Sequence, residues 1–193
     1  MKAYVPNNIF RRATHDDMAL IWQWRNQANI RKVMFNSQPI EWLNHQDWFV
    51  NMLASHTPDF WVFTQNKRPV GVLSFSNPQE KFIYFGFYLG EENVWPGTGM
   101  LMEVAALDYI CSLQKFAFLR AEVLSSNQQV IKLHQRFGYE IVDIQEGFLE
   151  QEGSLLDKII MERKVDNWLS DRHVLMDKLP QHYQLALNQL VFE

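Results

Sequence analysis

The sequence predicts an α/β (α+β) domain, a mixed and mainly antiparallel sheet of about seven strands with helices on both faces. Three observations predict it. Three β-rich runs, Phe60 to Thr64, Val70 to Phe75 and Lys81 to Leu89, are joined by short links rich in turn residues. A loop ending in Gly97-Thr98-Gly99 then leads into the most apolar long run of the chain. After it, strand and helix alternate until two strand-like runs close the order.

Each element has its own signal. Residues 9–14 read as a short strand. Thr14 and Asp17 make a capping-box-like start for a helix that runs to about Asn26. A second helix begins near Asn44, where His45, Trp48, Phe49 and Met52 recur at i, i+3, i+4, i+7 and so share one face. The three β runs follow as an antiparallel meander. Past the loop Gly90 to Gly99, Met100, Val104, Leu107 and Cys111 define the apolar face of a helix reaching about Gln114. Phe118 to Leu124 is a strand, and Ser126 with Gln129 forms a capping box for the next helix. That helix presents Val130, Leu133, His134 and Phe137 on one face and stops at Gly138, a favourable C′ residue. Tyr139 to Ile144 and Leu155 to Arg163 are the closing strands. The pattern makes residues 1–163 one domain and 164–193 a C-terminal helical appendage, in which Tyr183, Leu187, Leu190 and Val191 follow Pro180 as an amphipathic helix. Such a segment could cover the core, extend a pocket or form a homodimer contact.

Composition narrows the function classes. Hydrophobic residues are 47% and charged residues 21%, which fits a packed core rather than disorder. The only cysteine, Cys111, cannot form an internal disulfide, and no Cys/His spacing suggests a metal. The N-terminal residues lack a continuous apolar stretch and the run Met100 to Leu113 is interrupted by Glu103 and Asp108, so no signal peptide or membrane span is expected and a cytoplasmic location is. A net charge of −4 without a polybasic run argues against nucleic acid. Five of the seven tryptophans, Trp22, Trp24, Trp42, Trp48 and Trp61, fall in the first third of the chain. Most of them would pack the core, and one or two could line a pocket for a flat or sugar-like ligand.

The loop Val94-Trp95-Pro96-Gly97-Thr98-Gly99-Met100 is the most informative stretch. Its glycines permit positive φ and a close backbone approach, and the helix that follows offers free N–H groups and its positive dipole end to an anion. No Lys-Ser or Lys-Thr follows, so it is not a Walker A loop, and a third glycine is missing for a dinucleotide fingerprint. Placed between strand and helix, it resembles the coenzyme A loop of the GNAT superfamily of N-acetyltransferases, with Val94 standing where Gln or Arg is usual. The element order resembles that fold over roughly residues 9–163. A second segment, Asn127 to Tyr139, resembles the family's cofactor-contacting helix. Asn127 falls at the position whose side chain touches the cofactor. His134 stands where the family usually carries the tyrosine that protonates the departing thiolate.

The resemblance implies acetyl-CoA as co-substrate, bound by Phe87, Tyr88, Leu89, Gly97, Thr98, Gly99, Met100 and Asn127. It implies that the strand Phe85 to Leu89 splays from its neighbour and frees main-chain groups for the pantetheine and the thioester carbonyl. His134 is the candidate acid, since an imidazolium of pKa ~6.5 can protonate a thiolate whose conjugate acid lies near ~8.5. A packed, satisfied core histidine is the alternative. Tyr139 is a reserve acid. Glu122 is a candidate base or amine ligand, against a solvent-facing strand residue, and His45 is a second candidate base. Direct attack by the amine is favoured, because no exposed cysteine offers itself as an acyl carrier.

The acceptor is read from the N-terminal third. Trp22-Gln-Trp24-Arg25-Asn26, then Arg31, Met34, His45 and Trp48, resemble a subgroup that acetylates the 4-amino group of a UDP-linked sugar on the route to pseudaminic acid. Arg25, Met34, His45 and Trp48 would then bind the substrate, with Arg25 and Arg31 gripping phosphates and Trp48 or Tyr88 stacking on a ring. Otherwise these arginines are surface residues whose stems cover the tryptophans. Three other readings stay open. One is a ribosomal-protein or other protein N-acetyltransferase. Another is a non-catalytic acetyl-CoA-binding module. The last is an interaction protein whose glycine loop is only a turn.

Overall fold

A computed structural model describes residues 4–55 and 59–193. The chain forms β1 (Asn8–Arg12), a short 3-10 turn, α1 (Met18–Arg25), α2 (Ala28–Arg31), α3 (Trp42–Ser55), β2 (Asp59–Gln65), β3 (Arg68–Ser76) and β4 (Phe82–Leu89). It continues through α4 (Thr98–Leu113), β5 (Phe118–Leu124), α5 (Gln128–Arg136), β6 (Glu140–Gln151), β7 (Ser154–Lys164), α6 (Trp168–Lys178), α7 (Gln181–Asn188) and β8 (Val191–Phe192).

The strands make one sheet in the order β6-β7-β5-β4-β3-β2-β1-β8. β1 to β4 are an antiparallel meander, as their turn-rich links require. Among the described residues only β4–β5 and β1–β8 pair in parallel. Alternation along β2 divides the core. Trp61 and Phe63 join a large cluster with α4, α5 and Trp168, while Phe60 and Val62 pack on the other face with Ile21, Trp24 and Phe49 from α1 and α3. Helices therefore cover both faces of the sheet.

The C-terminal residues depart from the expected appendage. They form α6 and β8 as well as the foreseen helix, and Trp168, Ala186 and Leu187 lie in the same buried cluster as the sheet. A strand of two residues has too little pattern to be read in advance. The capping signals behave unequally. At the 3-10 turn, Asp17 accepts the Thr14 N–H at 2.8 Å. Burial pushes the Asp17 carboxyl up, but the paired Arg11 fork and Thr14 pull it further down, so its pKa is lowered. The Ser126–Gln129 box does not form. Asn127 is the N-cap, and Gln128 instead reaches back to the Ser125 carbonyl at 2.8 Å.

Candidate active site

The sheet opens where β4 leaves β5. Their ladder holds only Phe82↔Phe118, Ile83↔Leu119 and Tyr84↔Arg120. Beyond this point β4 stays with β3 as far as Leu89, and β5 stays with β7 as far as Leu124. The facing edges of Phe85–Leu89 and Ala121–Leu124 thus have no ladder partner. A cleft of about 690 Å³ fills the wedge, running from α2 to the starts of α4 and α5. No side chain fills it at Gly86, where a Cβ would meet open space.

The loop at one end of the wedge is shaped by Gly97, which takes φ +86° at the N-cap of α4. The Thr98 amide bonds to the Trp95 carbonyl and Leu101 to Gly97, while the amides of Gly99 and Met100 have no backbone partner among the described residues. Gly99 lines the cleft. Gly97 does not, because the close approach it permits is made by Tyr183, whose Cε1 lies 2.4 Å from where a Cβ would stand. Thr98 is buried, with its hydroxyl turned to the Trp95 carbonyl and to Gln65. Of the expected cofactor residues, Phe87, Tyr88, Leu89, Gly99 and Asn127 line the cleft, while the side chains of Thr98 and Met100 do not. The Asn127 side-chain amide has no hydrogen bond among the described residues.

His134 also lines the cleft. It sits in the last turn of α5, which ends in a Schellman motif. Gly138 takes φ +79°, its amide bonds to the Gln135 carbonyl, and the Tyr139 amide bonds to the His134 carbonyl at 3.1 Å. The ring packs among Phe85, Phe87 and Tyr139. Its Nδ1 lies 2.9 Å from Oε2 of Glu103, which is fully buried on α4. A carboxylate accepts, so Nδ1–H donates to it, and Nε2, without a hydrogen-bond partner among the described residues, is left for the cleft. Burial and the neighbouring Glu103 raise the Tyr139 hydroxyl well above its usual pKa, which makes the phenol a weaker proton donor than an ordinary tyrosine.

Glu103, the buried partner of His134, is the candidate site residue that the sequence reading missed. Its signal was a carboxylate interrupting an apolar helix, where burial without a partner would be prohibitive. Glu122 lines the cleft from β5, with Oε1 at 3.3 Å from Lys158 Nζ.

The expected acceptor residues gather at the other end. Arg25 and Met34 line the main cleft. Arg25 also borders an adjoining pocket of about 310 Å³ together with His45, Trp48, Phe60 and Tyr88. Burial lowers the Arg25 pKa, partly offset by Tyr88; Nη2 donates to the Asn36 carbonyl at 3.4 Å, while Nη1 is buried with no hydrogen-bond partner among the described residues. Burial likewise raises the Tyr88 hydroxyl above its usual value, opposed by Arg25. Trp48 does not share the buried face of His45, Phe49 and Met52. It is 45% exposed and turns toward the pocket.

His45 is buried, with Nε2 at 2.9 Å from the Met18 carbonyl, and burial lowers its pKa. Nε2 is thereby the donor. Because the unfolded chain binds the proton more readily, stability is lost as pH falls below about 6.5 toward the lowered folded value. Urea unfolding at about pH 7.5 and about pH 5.5 is expected to show that loss, and His45→Gln, which keeps a donor, should flatten it.

Cys111 is partly buried on α4, and burial with the nearby Asp108 raises its thiol pKa. Among the described residues, no helix is long and apolar enough to cross a membrane, and no cluster could hold a metal ion.

Comparison with known proteins agrees with this geometry. The model of the acetyltransferase (GNAT) domain family matches residues 8–140. Acetyltransferase PseH of Campylobacter jejuni is 24% identical over 139 residues, covering 72% of this chain and 87% of that protein. Spermidine N-acetyltransferase from Vibrio cholerae, solved with CoA and spermine, superposes with a TM-score of 0.77 at 17% identity, over 84% of this chain and 98% of that one. The structure of yncA from Salmonella typhimurium with its cofactor acetyl-CoA has a TM-score of 0.68 at 19% identity, over 83% and 95% of the two chains. With the family model spanning well over half of the sequence and the splayed strands in place, the chain belongs to the GNAT acetyltransferase family and is an acetyltransferase that uses acetyl-CoA.

Proposed function

We propose that this enzyme transfers the acetyl group of acetyl-CoA to the 4-amino group of a UDP-linked amino sugar by direct attack, in the cytoplasm and on the route to pseudaminic acid. One observation carries the acceptor class. Arg25 places a buried, unpaired guanidinium nitrogen where the main cleft meets an aromatic pocket. A buried N–H donor left without an acceptor is costly, and a diphosphate would satisfy it through charge-assisted hydrogen bonds. Trp48 and Tyr88 offer the pocket's flat faces to a uracil, and the bare Nδ1 of His45 offers an acceptor. The kinship with PseH supports the same reading.

The residues present fit acetyl-CoA as the other substrate. The amides of Gly99 and Met100 would take its diphosphate, the free edge of Phe85–Leu89 its pantetheine, and Asn127 a polar contact between them. Backbone N–H groups of that edge would hold the thioester carbonyl oxygen as it gains charge. The amine nitrogen bonds to the carbonyl carbon, its proton passing to Glu122 directly or through water. The tetrahedral adduct then collapses, the carbon–sulfur bond breaks, and His134, entering this step as the imidazolium with Nδ1–H on Glu103, gives its Nε2 proton to the thiolate and is left neutral. Glu103 steadies the imidazole throughout. The partly buried Cys111 with its raised thiol pKa is unsuited to carry an acyl group.

Competition kinetics test the acceptor. UDP should compete with the amino sugar but not with acetyl-CoA. Arg25→Ala should raise the acceptor KM by about 10- to 100-fold, the worth of a charged hydrogen-bonded contact, and leave the acetyl-CoA KM alone. Turnover of a peptide N-terminus with no effect of UDP would replace this reading with a protein acetyltransferase. Acetyl-CoA binding without turnover of any amine would leave a non-catalytic module.

A further inference from the structure

α7 lies against the loop that opens α4, outside the residues matched by the family model. Its Tyr183 fills the space beside Gly97. The Tyr183 ring meets Trp95 edge-on at 5.0 Å, and His182 flanks it at 4.3 Å. The segment carrying Tyr183 is fixed on both sides. Before it, Trp168 and Arg172 of α6 both donate to Asp108 on α4, and Arg172 also donates to the Leu187 carbonyl. After it, β8 joins β1, and Phe192 stacks on Phe10 at 4.7 Å. Across the loop, Gln65 accepts the Trp95 amide at 3.0 Å and donates to Thr98. The loop is thus gripped from two sides, and none of the gripping side chains lines the cleft.

We propose that Tyr183 is a positioning residue for acetyl-CoA binding. By packing behind Gly97 it holds the loop in the left-handed turn that leaves the Gly99 and Met100 amides free. A loop ordered before the ligand arrives need not lose its freedom on binding, so affinity rises without any contact between Tyr183 and the ligand. The inference rests on the reading that this loop receives the cofactor's diphosphate. It separates binding from chemistry, because Tyr183 packs on the loop and is not among the residues lining the cleft.

Titration with acetyl-CoA and steady-state kinetics on the full chain test it. Tyr183→Ala should raise the acetyl-CoA Kd and KM about tenfold, in the usual range for coupling between neighbouring sites. It should leave saturating kcat and the acceptor KM within about twofold. Tyr183→Phe should behave as wild type, since the ring does the packing. A wild-type Kd for a folded Tyr183→Ala, or a fall in kcat with KM unchanged, overturns the proposal. Gly99→Glu separates the two levels. If it loses binding while Tyr183→Ala keeps it, the positioning role alone fails. If both bind normally, the loop reading fails as well. Should Tyr183→Ala not fold, hydrogen exchange on the wild type decides. Acetyl-CoA, and not the acceptor, should protect amides of residues 181–188, and unchanged exchange there overturns the proposal.

Discussion

Exchanging His134 for glutamine is expected to cut kcat by about 10²–10⁴-fold, the usual worth of a positioned acid, while acetyl-CoA binding changes little. The expectation follows from how the ring is held. The Schellman end of α5 fixes its backbone, three aromatic rings confine it, and Glu103 holds Nδ1 at 2.9 Å, so Nε2 has one direction left to face. Glutamine keeps a donor for Glu103 but cannot deliver a proton. Alanine is the poorer probe. It would leave the Glu103 side chain in the core without its donor, and stranding a buried hydrogen-bonding group costs about 1–3 kcal/mol or more. Single-turnover rates with saturating acetyl-CoA, read beside thermal melts, check the prediction. A His134→Gln enzyme with wild-type kcat would make this histidine a core residue only.

The second large effect is on stability. Gly97→Ala is expected to destabilise the protein by about 3 kcal/mol, from a non-glycine residue forced into the left-handed region and a methyl driven into an aromatic ring. In a chain of this size that lowers Tm by about 6–12 °C. Adding Tyr183→Ala to it should recover the packing share but not the backbone share, so the double-mutant cycle should show a favourable coupling of about 1–2 kcal/mol. Additive losses would mean that the ring and the glycine do not meet. The same geometry makes Gly97 an ambiguous place to probe ligand binding and Gly99, which faces the cleft, a clean one.

Much of this arrangement was legible in the residues. The meander follows from turn-rich links between β runs, and Gly138 ends α5 as its position implies. The pattern that put His134 on the apolar face of α5 is the one that brings it into the cleft wall. What escaped notice depends on tertiary contacts. Glu103 and His134 are 31 residues apart, and nothing local says that a charge within an apolar helix has found its partner. Trp48 has the spacing of a buried face, but the helix leaves that edge open to a pocket. Gly97 carries the mark of a close approach, and only the fold reveals that the approaching group is Tyr183, from a helix near the other end of the chain. The point at which β4 and β5 part is likewise unmarked by residue type, since it is set by their partners on either side.

Isothermal titration with acetyl-CoA, run on the wild type and on Gly99→Glu, tests the central claim most directly. A carboxylate introduced at Gly99 would occupy the cleft beside the free amides and repel a diphosphate. The account predicts micromolar binding by the wild type and a loss of at least about 100-fold in a variant that melts normally, since Gly99 has room for a side chain. Equal affinity in the two proteins would contradict it, and would move the acetyl-CoA site away from the loop that opens α4.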